Sequence, residues 1–236
     1  MKKYDLVNKQ PNGLWQIRAL RDFGDVKAGD LGGYVQYEDN LSQTGNCWVY
    51  DNAMVYNNAI ICGNAVICNN AKVYGNAKVY DNAKVYGNAF VYDSAKVYDN
   101  VMVYGNAKVY GNAKVYGNAM VCGNALVYDS AKVYGNAMVY GNAMVCGNAR
   151  VYGNAGVYDN ARICEKNDIF WISNIGSRYS TLTIFKTADG FKLSTGCFIG
   201  TFKEFKKQVS KKDIEDQHRK EYEALYPLIG LRFGKR

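Results

Sequence analysis

"KVYGNAKVYGNA", residues 108–119, is two copies of a six-residue word that recurs through the middle of the chain. From Val49 an aliphatic residue stands at every sixth position, through Val55, Ile61 and Ile67 to Val157 and Ile163, which makes twenty consecutive hexads. Ala follows four residues later in the first nineteen, with Val101 the one exception, and Asn precedes it everywhere except at Ser94 and Ser130. Six is a multiple of the strand period of two, so in "AKVY" Ala and Val point to one side and Lys and Tyr to the other. The intervening Gly-Asn or Asp-Asn pair supplies residues that tolerate the left-handed backbone of a sharp corner. Each hexad is therefore one short strand and one corner, and three close a triangular coil whose stacked neighbours pair in parallel about 4.8 Å apart. Val and Ala line a narrow prism, in which Leu at Ala113 would overpack by ~1–3 kcal/mol.

A branched aliphatic followed four residues later by a small one resembles the hexapeptide-repeat left-handed β-helix superfamily, best known for acyltransferases of the transferase-hexapeptide type. The lead-in from Gln16 to Val35 with "GNCWVYDNA" (Gly45 to Ala53), and the tail motifs "IGSR" (Ile175 to Arg178), "GCFIGTFKEF" (Gly196 to Phe205) and "HRKEY" (His218 to Tyr222), are similar to bacterial and prophage-borne members with a small C-terminal domain. The resemblance implies the left hand of the coil, against the usual right-handed crossover. It also implies trimers, and a phage-associated role in countering host defence.

The expected fold is mainly β: an N-terminal cap over 1–36, a parallel β-helix of about seven to eight coils over 37–164, and an α+β domain over 165–236. Hexads from Tyr37 and Gln43 keep the phase and form an irregular first coil. Both ends of such a coil expose strand edges, so the flanking segments cover them. In the tail, "DIFWISNI", "YSTLTIFKT" and "FKLSTGCF" read as strands, with a hairpin at Asp189-Gly190. Thr201 with Glu204 forms a capping box that opens a helix to about Val209. Ser210 with Asp213 opens a second helix, expected to stop at Pro227.

The chain carries 29 basic and 21 acidic side chains among 236 residues. By segment the balance is six and six over 1–48, nine and six over 49–164, and fourteen and nine over 165–236. The surplus favours anionic partners or a plain basic surface. With no apolar run of about 18 residues and no signal-peptide core, a cytoplasmic location is expected. The seven Cys lack zinc-type spacing and read as reduced thiols; Cys146 and Cys164 are adjacent on one face, within disulfide range but pointing in parallel, and read as chance replacements of Tyr.

Outward residues eighteen apart share a face, and the three faces differ. The first carries Lys78, Lys96, Lys114, Lys132 and Arg150 beside Tyr80, Tyr98, Tyr116, Tyr134 and Tyr152. Cations interleaved with rings can hold phosphates and stack bases, or can be a solvated face whose Lys stems cover the rings. Asp81, Asp93, Asp99 and Asp129 at its corners partly neutralise it. The second face, with Met102, Met120 and Met138 near Tyr104 and Tyr140, is nearly uncharged and is the candidate for subunit association, as dimer or trimer, or for docking of the tail. The third is mixed.

Hexapeptide acyltransferases use a His in a cleft between subunits, whereas no hexad here contains one. The lone His218, with Cys197 and Ser177-Arg178, is a possible Cys-His pair beside an anion-binding Arg178, without a spacing rule behind it. No catalytic residue, cofactor or metal is assigned. The expected function is a non-catalytic binding protein for a host protein, nucleic acid or anionic nucleotide. The alternatives are an acyl-CoA-dependent acyltransferase with an atypical site and a structural spacer.

Overall fold

The computed structural model describes residues 2–211 and 214–234. Twenty two-residue strands, β4 (Trp48–Val49) through β23 (Arg162–Ile163), appear one per hexad. They pair in parallel with residues eighteen apart, as Lys96 with Lys114 and Val97 with Val115. Three sheets result: six strands from Ile60 to Val151, seven from Trp48 to Val157, and seven from Met54 to Ile163 that β1 (Tyr4–Lys9), β2 (Trp15–Ala19) and β3 (Leu31–Val35) extend to ten. The chain is thus a parallel β-solenoid of about seven turns. Its lining from Ala53 to Ala161 is buried on every strand, because alternation leaves Val and Ala nowhere else to point.

The corners divide their work between two residues. The first, Gly, Asp or Asn, holds the positive φ, from +52° at Asp51 to +77° at Gly117. The second, Asn, instead builds an amide ladder. Asn64, Asn82, Asn100, Asn118 and Asn136 each pass a side-chain hydrogen bond of 3.0 to 3.1 Å to the next coil, ending at Asn154. A parallel ladder runs along a second corner from Asn70 to Asn160. The third corner carries Ser94 and Ser130, too short to bridge the coils, and only Asn58 and Asn76 are linked there.

The first coil is covered by the N-terminal segment. Trp48 is buried with Tyr4 and Phe23 edge-on to it, their ring centroids 6.0 and 5.3 Å away. Lys3 is also fully buried there, its Nζ donating to the Cys47 carbonyl at 2.9 Å. Gly33 lets β3 cross close to the coil, since a Cβ would stand 2.7 Å from the Ala53 carbonyl oxygen. The Tyr37 hexad departs from a regular coil: Glu38–Asn40 is a short 3-10 turn, and Leu41 only bridges Ile61.

At the other end an antiparallel sheet, β24 (Ile169–Ile175), β25 (Ser180–Thr187), β26 (Gly190–Thr195) and β27 (Phe198–Gly200), lies against the last coil. Ile169 and Phe185 join the solenoid core. Gly156, the last residue of the Met column, is buried beneath this sheet, its N–H donating to Thr183 Oγ1 at 3.1 Å. The opposite sheet face packs on α1 (Phe202–Val209), opened by the Thr201–Glu204 capping box, and α2 (Asp216–Phe233). The expected capping residue Asp213 lies outside the described residues.

Pro227 does not stop the second helix but sits inside it. An internal Pro costs about 3 kcal/mol. Packing beyond it offsets this: Ile229 is fully buried, and Phe233 lies 5.4 Å from Phe191. Cys146 and Cys164, read above as chance replacements, are not independent either. They share one column on adjacent coils with Cα atoms 4.4 Å apart, and their sulfurs meet at bonding distance. Among the described residues no helix is long and apolar enough to cross a membrane.

Candidate functional site: a cation and tyrosine ladder

Lys78, Lys96, Lys114, Lys132 and Arg150 follow one another in register on the six-stranded sheet. The ladder fixes this arrangement, since each pairs backbone to backbone with the coil above, as when Lys96 N–H donates to the Ala113 carbonyl at 2.9 Å. Lys96, Lys114 and Lys132 are half-buried by their stems, whereas Lys78 and Arg150 are exposed. Among the described residues none of the five forms an ion pair.

Three of the four corner aspartates turn to the backbone. Asp93, Asp99 and Asp129 each accept the N–H of the corner glycine one coil on, at 3.1, 2.8 and 3.1 Å. Their oxygens stabilise the corners and are not paired with the ladder cations.

Beside the cations run Tyr80, Tyr98, Tyr116, Tyr134 and Tyr152, stacked at 4.8 to 5.1 Å with planes within 6°. This corrects the expectation that the rings could stack bases along the face. From Tyr80 to Tyr152 each ring lies against the next, and no gap between them admits a base. Partial burial raises the phenols of Tyr80, Tyr98 and Tyr116 above their ordinary range, so they stay neutral at pH 7 and add no negative charge. The open face therefore presents cations and hydroxyls, a surface suited to phosphate oxygens and blind to base identity.

The ladder ends in a cavity of about 540 Å³ between the last two coils and the C-terminal domain. Arg150, Tyr134 and Tyr152 form one wall, Phe170 and Trp171 of β24 another, and Lys166 and Arg232 the rim. Trp171 meets Tyr152 at 4.4 Å with perpendicular planes. Arg232 lies over Phe170, 4.8 Å from its centroid. Sequence reasoning found Arg150 and the two tyrosines but missed Lys166, Trp171 and Arg232. Arg232 was hidden because α2 was expected to stop five residues before it.

Arg178 stands apart, in the C-terminal domain. It lines a second cavity, of about 480 Å³, together with Ser177, Cys197 and His218. The sequence left open whether these come together, and they share this cavity, yet they do not form a nucleophile–base pair. Cys197 Sγ is 4.0 Å from Arg178 Nη1. The His218 ring nitrogens face Glu215 and Glu221 at 3.7 and 3.6 Å, within the same helix or at its cap.

Met102, Met120 and Met138 stack in register on the seven-stranded sheet. Tyr104 donates its hydroxyl to Met120 Sδ at 3.2 Å. Met138 and Tyr140 are each 39% exposed, and the C-terminal sheet covers this column only at Gly156.

Comparison with known proteins agrees with this architecture. The family described as YdcK Beta solenoid repeat matches residues 49–63, 95–111, 113–129, 131–147 and 143–159. The chain is also similar to a protein of Escherichia coli (strain K12) named uncharacterized acetyltransferase YdcK, 55% identical over 38 residues. That match spans 16% of this chain and only 12% of the relative's length. Repeat phase, strand register and family match converge: the chain is a hexapeptide-repeat-like parallel β-solenoid, with repeats similar to the YdcK kind.

Proposed function

We infer that this protein is a non-catalytic binding scaffold that holds an anionic partner, of the nucleic-acid kind, along its Lys–Tyr face. The observation that carries this is the unbroken stack of five cations in register, without a carboxylate within ion-pairing distance among the described residues. Stacked like charges are a cost to the free protein that an anionic partner removes. Because the rings face each other, recognition is of backbone charge, not sequence. The exposed Met138–Tyr140 strip on another sheet leaves room for copies to associate while the cation face stays free. A counter-defence role, in which such a scaffold occupies a host nucleic acid, nucleotide or protein, is compatible with this chemistry. A labelled polyphosphate or single-stranded oligonucleotide should bind in fluorescence anisotropy, and Lys96→Glu/Lys114→Glu/Lys132→Glu should abolish binding. Equal binding by the triple variant would remove the inference.

A second reading has one observation in its favour, the acetyltransferase name of the YdcK relative. An acyltransferase here would need a base other than a solenoid His, since the chain's one His is on α2. Titration calorimetry with acetyl-CoA separates the readings: tight saturable binding favours the enzyme, and none favours the scaffold.

A further inference from the structure

The cavity at the end of the ladder differs in kind from the open face. Along the face each Tyr ring is covered by its neighbours, and a planar ligand finds only edges. At the cavity the stack ends. Trp171 lines the cavity from outside the tyrosine stack, its plane perpendicular to that of Tyr152. An aromatic wall that does not belong to the stack is thus present at this end of the cation ladder.

Charge converges on the same place from three separate elements. Arg150 comes from the last strand of the ladder, Lys166 from the 3-10 turn Lys166–Asp168, and Arg232 from the final turns of α2. Among the described residues no acidic side chain lines the cavity. Asp168, close in sequence, is held elsewhere: one oxygen accepts from the Cys164 and Glu165 N–H groups at 2.9 and 2.8 Å, and the other pairs with Lys186 at 3.2 Å. Arg232 is held over Phe170, which limits the positions its guanidinium can take.

We propose that this junction cavity is a binding site for a nucleoside diphosphate, with its base against Trp171 and its phosphates among Arg150, Lys166 and Arg232. The volume of about 540 Å³ is of the size that encloses a ligand of this class. Three cations balance the roughly three negative charges of a diphosphate ester at neutral pH. Two of them are guanidinium groups, whose planar forks pair with phosphate oxygens bidentately. The Trp face supplies the stacking that a bare phosphate site would lack. The site goes beyond the open-face reading and stands without it, because its ring, its turn and its helix all come from outside the repeat.

Calorimetry on the full chain tests this with ADP, pyrophosphate and adenosine as probes. ADP should bind saturably at one site per chain, pyrophosphate more weakly, and adenosine without saturation. Arg150→Glu and Arg232→Ala, both at exposed positions, should each weaken ADP binding by about tenfold or more. Trp171→Phe should weaken ADP but not pyrophosphate. Lys78→Glu/Lys96→Glu, three or more ladder steps away and beyond the ~8 Å screening length, should leave ADP affinity unchanged while weakening polyanion binding to the face. The proposal is overturned if ADP shows no saturable binding, if Arg232→Ala and Arg150→Glu bind it like the wild type, or if pyrophosphate binds as tightly as ADP. Loss of polyanion binding alone would count against the open face and not against this site.

Discussion

Replacing Lys114 by Glu should make the free protein more stable. Lys114 lies between Lys96 and Lys132 in a parallel ladder, one step from each. Two unit charges about 5 Å apart in water repel by roughly 0.8 kcal/mol. Screening at physiological ionic strength reduces that to about 0.4 kcal/mol. Glu at the centre converts two repulsions into two attractions, a change of about 1.5 kcal/mol, and flexible stems that splay the charges apart reduce it to about 0.5–1.5 kcal/mol. For a chain of this length the melting midpoint should rise by about 2–5 °C in dilute buffer. In 1 M salt, where the screening length is about 3 Å, the gain should vanish. Lys108→Glu is the matched control: its ladder neighbours are Phe90 and Leu126, and its ammonium lies over the Phe90 ring at 5.7 Å, so it has no stacked cation to relieve. Scanning calorimetry of both variants at two salt concentrations decides the matter. The reasoning fails if Lys114→Glu does not melt above the wild type in dilute buffer, if its gain persists in 1 M salt, or if Lys108→Glu gains as much. A face that keeps a removable repulsion is one whose charge serves something other than folding.

Other consequences are as direct. Gly87→Ala should destabilise by about 1–2 kcal/mol or more, because a Cβ would stand 3.0 Å from the Gly105 backbone N at φ +72°, where L-residues are already disfavoured. Gly13→Ala, at φ +84° with nothing within 4 Å, should lose only the conformational part, and equal losses by denaturant titration would contradict the corner geometry. Burial holds the Tyr92 phenol up at about 12, with the Tyr110 and Tyr74 phenols beside it adding to the rise. The native state therefore keeps its proton where the unfolded chain has lost it. Stability from this group is complete below pH ~10 and is lost as pH rises towards 12, so melting midpoints constant across that window would refute the stacked, partly buried ladder. Asn124→Ala removes amide bonds to both Asn106 and Asn142, each 3.0 Å long, and should destabilise by about 1 kcal/mol, more than Asn112→Ala, which lies on the corner interrupted by Ser94 and Ser130.

Much of this was legible in the text because a period of six leaves little choice. Val109 and Ala113 must face inward, and Lys96, Lys114 and Lys132 must meet on one face, once three hexads make a coil. What escaped notice was what a residue does to its own copies. Asn was read as a corner residue, yet the left-handed position falls to the first residue of the corner, mostly Gly or Asp, and the second, Asn, joins coils through its side chain. Tyr was read as a platform for bases, but parallel register presses identical rings together. The register had already placed Cys146 beside Cys164, and only the meeting of their sulfurs went unread. The terminal cavity was invisible for a different reason: Pro227 signals a helix end locally, and only burial of Ile229 and packing of Phe233 against Phe191 show that the helix continues to carry Arg232 back.

The central claim is that the five stacked cations neutralise phosphates, and its most direct test is the salt dependence of binding to a single-stranded oligonucleotide. If all five engage, the slope of log K against log salt should be about −3.5, falling to about −1.4 when three are neutralised in Lys96→Gln/Lys114→Gln/Lys132→Gln. A slope near zero, or one that the triple variant leaves unchanged, would show that the ladder is not where an anionic partner is held.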